Sequence, residues 1–100
     1  MIAMKPIEVD GHTVLGIEVA LPKTTLLVIT TEKGYIMCGA LDVGLLNERL
    51  REREIIAARA EGVRSLEQLM DAPLTMVTHT AEEHGIRAGM TGREALLKMI

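Results

Sequence analysis

The spacing of apolar residues changes near residue 42, and that change constrains the chain more than any single motif. Before it, apolar residues alternate with polar ones or gather in short β-branched runs; after it, they recur every three or four positions. Alternation buries one face of a strand, whereas a three-to-four spacing buries one stripe of a helix. The chain therefore reads as α+β, strands first and helices after. Lys5 to Val9 alternates, Asp10-Gly11 supplies a two-residue turn, and His12 to Leu21 returns as a second strand until Pro22-Lys23 interrupts it. Thr24 to Thr31 contains the nearly continuous run Leu26-Leu27-Val28-Ile29, which suits a strand covered on both faces. Glu32-Lys33-Gly34 turns the chain into a fourth strand, Tyr35 to Ala40. In the second strand Thr13, Leu15, Ile17, Val19 and Leu21 oppose Val14, Gly16, Glu18 and Ala20, and the bulkier set is expected to face the core.

From Asp42, an apt N-cap, Val43, Leu46 and Leu50 form a helical stripe, with the mixed charges of Glu48 to Glu54 on its outer side. Ile55 to Glu61 reads as a fifth strand in which Ile56, Ala58 and Ala60 alternate against Arg59 and Glu61. Ser65-Leu66-Glu67-Gln68 has the form of a capping box and opens a short helix that Pro73 ends. The next helix is expected from Pro73 to His84, closed by Gly85; a strand over Thr75 to Thr80 is the alternative, since Thr75, Val77, Thr78 and Thr80 are poor helix formers. Thr91-Gly92-Arg93-Glu94 repeats the capping-box form before a last helix carrying Ala95, Leu96, Met99 and Ile100. No linker or repeat divides the chain, so residues 1–100 are expected to form a single two-layer α/β sandwich. Its mostly antiparallel sheet should have about five strands, with the helices on one face.

The core must be aliphatic, because Tyr35 is the only aromatic residue in 100. Without aromatic platforms, and with 14 acidic residues against 11 Lys plus Arg, a nucleic-acid partner is not expected. An apolar content of 48% is high for so small a domain, and it points to self-association. No apolar run approaches the roughly 20 residues that cross a bilayer, and the opening Met1-Ile2-Ala3-Met4-Lys5-Pro6 lacks the form of a secretory signal. With a single thiol, Cys38, the expected address is the cytoplasm.

Three stretches bear on family. They are Leu21-Pro22-Lys23-Thr24, the run from Gly34 through Cys38-Gly39-Ala40-Leu41-Asp42 to Asn47, and Gly85-Ile86-Arg87-Ala88-Gly89-Met90 through Leu96. On these strings the chain resembles, over essentially its full length, the YunC-like family of uncharacterised bacterial and archaeal proteins. The resemblance implies a small two-layer α/β sandwich and brings no established activity, substrate or catalytic residue.

The residues themselves offer three constellations. Where the fourth strand enters the helix at Asp42, Cys38, Asp42 and Asn47 supply a thiol, a carboxylate and an amide, and Gly39 and Gly44 permit a ligand close to the backbone. Cys38 as nucleophile or Asp42 as acid/base would make this a small enzyme with a site shared between subunits; a buried thiol and a helix cap are the simpler account. Arg87 and Arg93 flank a helix start and are candidates for a small molecule or anion, although Glu94 places negative charge there. His79 and Glu83 stand one helical turn apart, a weak candidate pair for a metal that lacks the His-Glu-x-x-His pattern. No phosphate-binding glycine loop, dinucleotide fingerprint or cysteine-pair zinc motif is present. The expected function is thus a cytoplasmic homo-oligomeric accessory or ligand-binding domain, with the small enzyme as its rival.

Overall fold

A computed structural model describes all residues, 1–100. The strands are β1 (Ile2–Val9), β2 (His12–Leu21), β3 (Thr24–Thr30), β4 (Gly34–Met37), β5 (Ile56–Arg59) and β6 (Met76–Val77). The helices are α1 (Val43–Glu48), α2 (Leu66–Asp71), α3 (His79–Glu83) and α4 (Gly92–Leu97), with a 3-10 turn at Arg51–Arg53. The six strands form one sheet in chain order, antiparallel throughout except for the parallel pair β4–β5. Asp10 and Gly11 both take positive φ, 48° and 85°, the form of turn whose twist matches that of the strands it joins.

The α+β sandwich is as the spacing predicts, with one strand more than the expected five. The extra strand, β6, replaces the first half of the helix expected from Pro73 to His84. Pro73 bridges to Thr91 instead of opening a helix, the Thr75 N–H donates to the Arg59 carbonyl (2.8 Å), and the Thr78 N–H donates to the Ala57 carbonyl (3.0 Å). The open edge of β5 offered backbone partners, and β-branched residues took them. Helix α3 follows, and Gly85 (φ 82°) closes it in the left-handed conformation. Ser65 caps α2 by accepting the Gln68 N–H, but the Gln68 side chain accepts from Arg64 N–H, so the reciprocal half of that box is absent. At Thr91 and Glu94 both halves are present.

Cross-strand pairing assigns every residue to a face. On one face lie Ile7, Val9, Val14, Gly16, Leu27, Ile29, Ile36, Ile56 and Ala58, covered by Leu66, Leu69 and Met70 of α2, Ala81 of α3, and Ala95 and Leu96 of α4. The core side of β2 is therefore the Val14–Gly16 set, and the expectation that Leu15, Ile17 and Val19 face the main core is overturned. Gly16 gives Leu66 room against this face. A Cβ there would collide with Ile7 Cδ1 (2.7 Å) and Leu66 Cδ1 (2.8 Å), so the missing side chain makes the seat for α2. Gly92 serves α4 in the same way, since a Cβ would run into the Leu69 carbonyl and Ile36 Cδ1.

The opposite face is covered unevenly. Helix α1 lies over its β4–β5 end, where Leu41, Val43 and Leu46 bury Ala57 and pack on Tyr35 and Met37. Three helices thus share one face and α1 stands on the other. Over β1–β3 the second face carries no covering element. Ile2, Met4, Pro6, Leu15, Ile17, Val19, Leu21 and Val28 point that way, with three threonines besides Glu8, the only charge; Leu26, on the same side by register, also packs against the main core.

Thr78 is the one buried polar side chain, at 2% exposure. Its hydroxyl donates to the Ile55 carbonyl (2.7 Å) and accepts from the N–H groups of Ala57 and Ala81 (both 3.2 Å). It therefore ties the start of β5 to the first turn of α3. Replacing the hydroxyl by a methyl in Thr78→Val keeps the shape and leaves three buried backbone groups short of a partner, a loss of about 2–4 kcal/mol. Thr78→Ser keeps the hydroxyl and loses about 1 kcal/mol. Urea unfolding monitored by circular dichroism measures both, and equal losses would contradict this role.

Candidate functional site

The parallel pair β4–β5 is where an α/β sheet would place a ligand, beyond the carboxyl ends of the two strands. Chain leaving β4 there runs through Cys38, Gly39 and Ala40 to the α1 cap at Asp42; chain leaving β5 runs through Ala60, Glu61 and Gly62. The Cys38 N–H extends the β3–β4 ladder by donating to the Leu27 carbonyl (3.1 Å), and its side chain, 7% exposed, packs within the core under α2–α4. Asp42 Oδ1 accepts the Leu45 N–H (3.0 Å) and caps α1 on the far side of the sheet. The thiol is thus buried in the main core while the carboxylate is exposed at the start of α1, beyond the end of β4, and no hydrogen bond joins them. Asn47 is also engaged in the fold: its Oδ1 accepts the His79 N–H (2.9 Å), linking α1 to the start of α3.

Gly39 and Gly44 differ from Gly16 and Gly92. Neither has positive φ, and a Cβ would meet only ordinary contacts, Glu61 Cγ at 3.8 Å from Gly39 and Asp42 Oδ1 at 3.5 Å from Gly44. Packing within the chain does not require glycine at either position.

The remaining candidates are dispersed. Arg87 Nη1 donates to the carbonyls of Glu82 (2.6 Å) and Ile86 (3.2 Å) and so closes the end of α3. Arg93 lines an open surface cleft of about 330 Å³ together with Lys5, Ile7, Leu66 and Asp71. His79 Nδ1 lies 3.3 Å from Glu82 Oε1, an ion pair when the ring is protonated, and no three His, Cys, Asp or Glu side chains gather anywhere in the fold.

Arg59 is the residue that sequence reasoning missed. It lies on β5 on the same face as α1, with its side chain only 19% exposed. Nη1 donates to the Leu41 carbonyl (3.1 Å), Nη2 reaches Met76 Sδ (2.8 Å) and Glu61 Oε1 (3.3 Å), and Nε is enclosed without a partner. One guanidinium thereby holds the β4–α1 connection, β5 and β6 in register at the ligand-prone end of the sheet. The only signal in the sequence is a single arginine among Ala57, Ala58 and Ala60.

Two outcomes are expected. Arg59→Leu leaves the Leu41 carbonyl without its charged donor and lowers stability by about 1–3 kcal/mol, with Arg59→Lys intermediate because a lysine cannot fork; chemical unfolding of the three proteins checks the order. Native Cys38 reacts slowly with iodoacetamide at neutral pH and fully once unfolded, and rapid native labelling would show an accessible thiol.

Known proteins share this architecture. The chain is 55% identical over 100 residues to the uncharacterized protein YunC of Bacillus subtilis (strain 168), covering 100% of this chain and 99% of that one. The crystal structure of a protein of unknown function, TA1206 from Thermoplasma acidophilum, superposes with a TM-score of 0.89 at 29% identity, covering 100% of this chain and 94% of that one. The family described as a domain of unknown function, DUF1805, matches residues 37–99, from the last residue of β4 to two residues past α4. The chain belongs to the YunC-like DUF1805 family.

Proposed function

We propose that this protein works in the cytoplasm as a homo-oligomeric accessory domain, whose role depends on assembly rather than on a catalytic set within one chain. One observation carries the reading. An antiparallel sheet with one face in water normally alternates apolar inside and polar outside, yet here the uncovered face of β1–β3 is largely apolar, while Lys5, His12 and Glu18 lie on the helical side. Ile2 is 68% and Met4 63% exposed, and with Leu21 and Met76 they place four of the eight large exposed apolar side chains on the second face. A surface of that kind on so small a domain fits a contact made in the working state. Gly39 and Gly44, unconstrained by their own chain, suit a neighbouring molecule or small ligand approaching the backbone where β4 enters α1.

The rival enzyme reading has less support. Cys38 is buried in the main core, and Asp42 is occupied as a cap on the other side of the sheet. Native mass spectrometry of untagged protein purified without chelator decides between assembly and monomer, and reports any retained ligand. A homo-oligomer at micromolar concentration is expected; a monomer at every concentration tested would contradict the proposal.

A further inference from the structure

Resting on that reading, we infer that two copies stack with the bare faces of β1–β3 against each other, about a two-fold axis parallel to the strands. The second copy is favoured as occupant because the face is self-complementary. It is nearly uncharged, its apolar residues run as an unbroken block across three strands, and Glu8 lies at one end beside Thr13, whose hydroxyl donates to it (2.6 Å). An isologous contact brings the same patch from each side, so no complementary charge is needed.

The dimensions agree. Sheets stack about 10 Å apart and strands lie about 4.8 Å apart. A helix on a sheet stands at a similar height, so α1 over β4–β5 lies level with the sheet of a stacked partner. Rotation about an axis along β2 reverses the strand order of the partner, and its β1 then falls alongside the α1 of the first copy. Each α1 would thus flank the β1 edge of the other copy, which the single chain leaves open. The bare face offers on the order of 600 Å² of apolar surface, the upper end of what monomers expose. Contact between α1 and β1 brings the total toward the roughly 800 Å² per partner of a stable dimer.

Edge-to-edge joining through β1 is disfavoured by the backbone. Met1 and Ala20 exchange both backbone hydrogen bonds (2.8 and 3.4 Å), so the odd-numbered residues of β1 are bonded to β2 and the even-numbered ones turn their amides outward. Pro6 is among the latter and has no N–H to offer an added strand.

The test uses Ile2 and Met4, 68% and 63% exposed in the single chain, where a charge leaves the fold intact. Ile2→Glu and Met4→Glu, separately and together, are compared with Leu97→Glu on α4, which is exposed on the helical side. Sedimentation velocity over a concentration series reads assembly and circular dichroism reads folding. The expected result is a folded double variant whose dimer is weakened at least about 30-fold, with Leu97→Glu unchanged. A wild-type oligomer that persists in the double variant, or that Leu97→Glu dissociates, would overturn the stacking while leaving self-association in place. A monomeric wild type would remove both.

Discussion

A sheet with two apolar faces needs covering on both, and the way this chain meets that need organises the rest of the molecule. Helices α2, α3 and α4, none longer than six residues, cover one face. Short helices contribute little through their own hydrogen bonds, so they depend on caps and on the fit of their apolar residues against the sheet. Gly16 and Gly92 supply that fit by removing side chains where a helix must come close. On the other face only α1 is available, and it reaches only β4 and β5.

The covered end of that second face is also the most interconnected part of the fold. Arg59 joins the β4–α1 connection to β5 and β6, Asn47 links α1 to α3, and Thr78 ties β5 to α3. These polar contacts surround the single parallel pair of the sheet, whose bonds come from segments distant in sequence. The uncovered β1–β3 end contrasts with it. Long hairpins hold it together, and its outer surface is uniform and apolar. One end is fixed by specific side-chain bonds and the other is suited to broad contact.

Local signals carried the sequence reading a long way. The Asp10-Gly11 turn, the Asp42 and Thr91 caps and the Gly85 stop each depend on a few neighbouring residues, and each is found where those residues place it. The reading failed where the deciding partner was remote. Leu15, Ile17 and Val19 look more like core than Val14 and Gly16, but Leu66, some fifty residues on, packs against the face of the latter. The helix expected from Pro73 lost its first half to β6: the β-branched run Thr75 to Thr80 had left a strand there as the alternative, and the open edge of β5, remote in sequence, decided between them. Arg59 was passed over because its partners Leu41 and Met76 lie 18 and 17 residues away. Of the candidate site residues, Asp42, Asn47 and Arg87 have evident work within the fold, and Gly39 and Gly44 have none.

The central claim is that the outer face of β1–β3 is covered in the working state. Methyl NMR with a soluble paramagnetic agent tests it most directly, since relaxation reports how closely solvent approaches each side chain. The account predicts that, at concentrations where the protein is assembled, the methyl groups of Ile2 and Met4, 68% and 63% exposed in the single chain, are shielded nearly as well as those of buried Ile29, while Met1 is strongly relaxed. Relaxation of Ile2 and Met4 at a level near that of Met1, at every concentration, would contradict it.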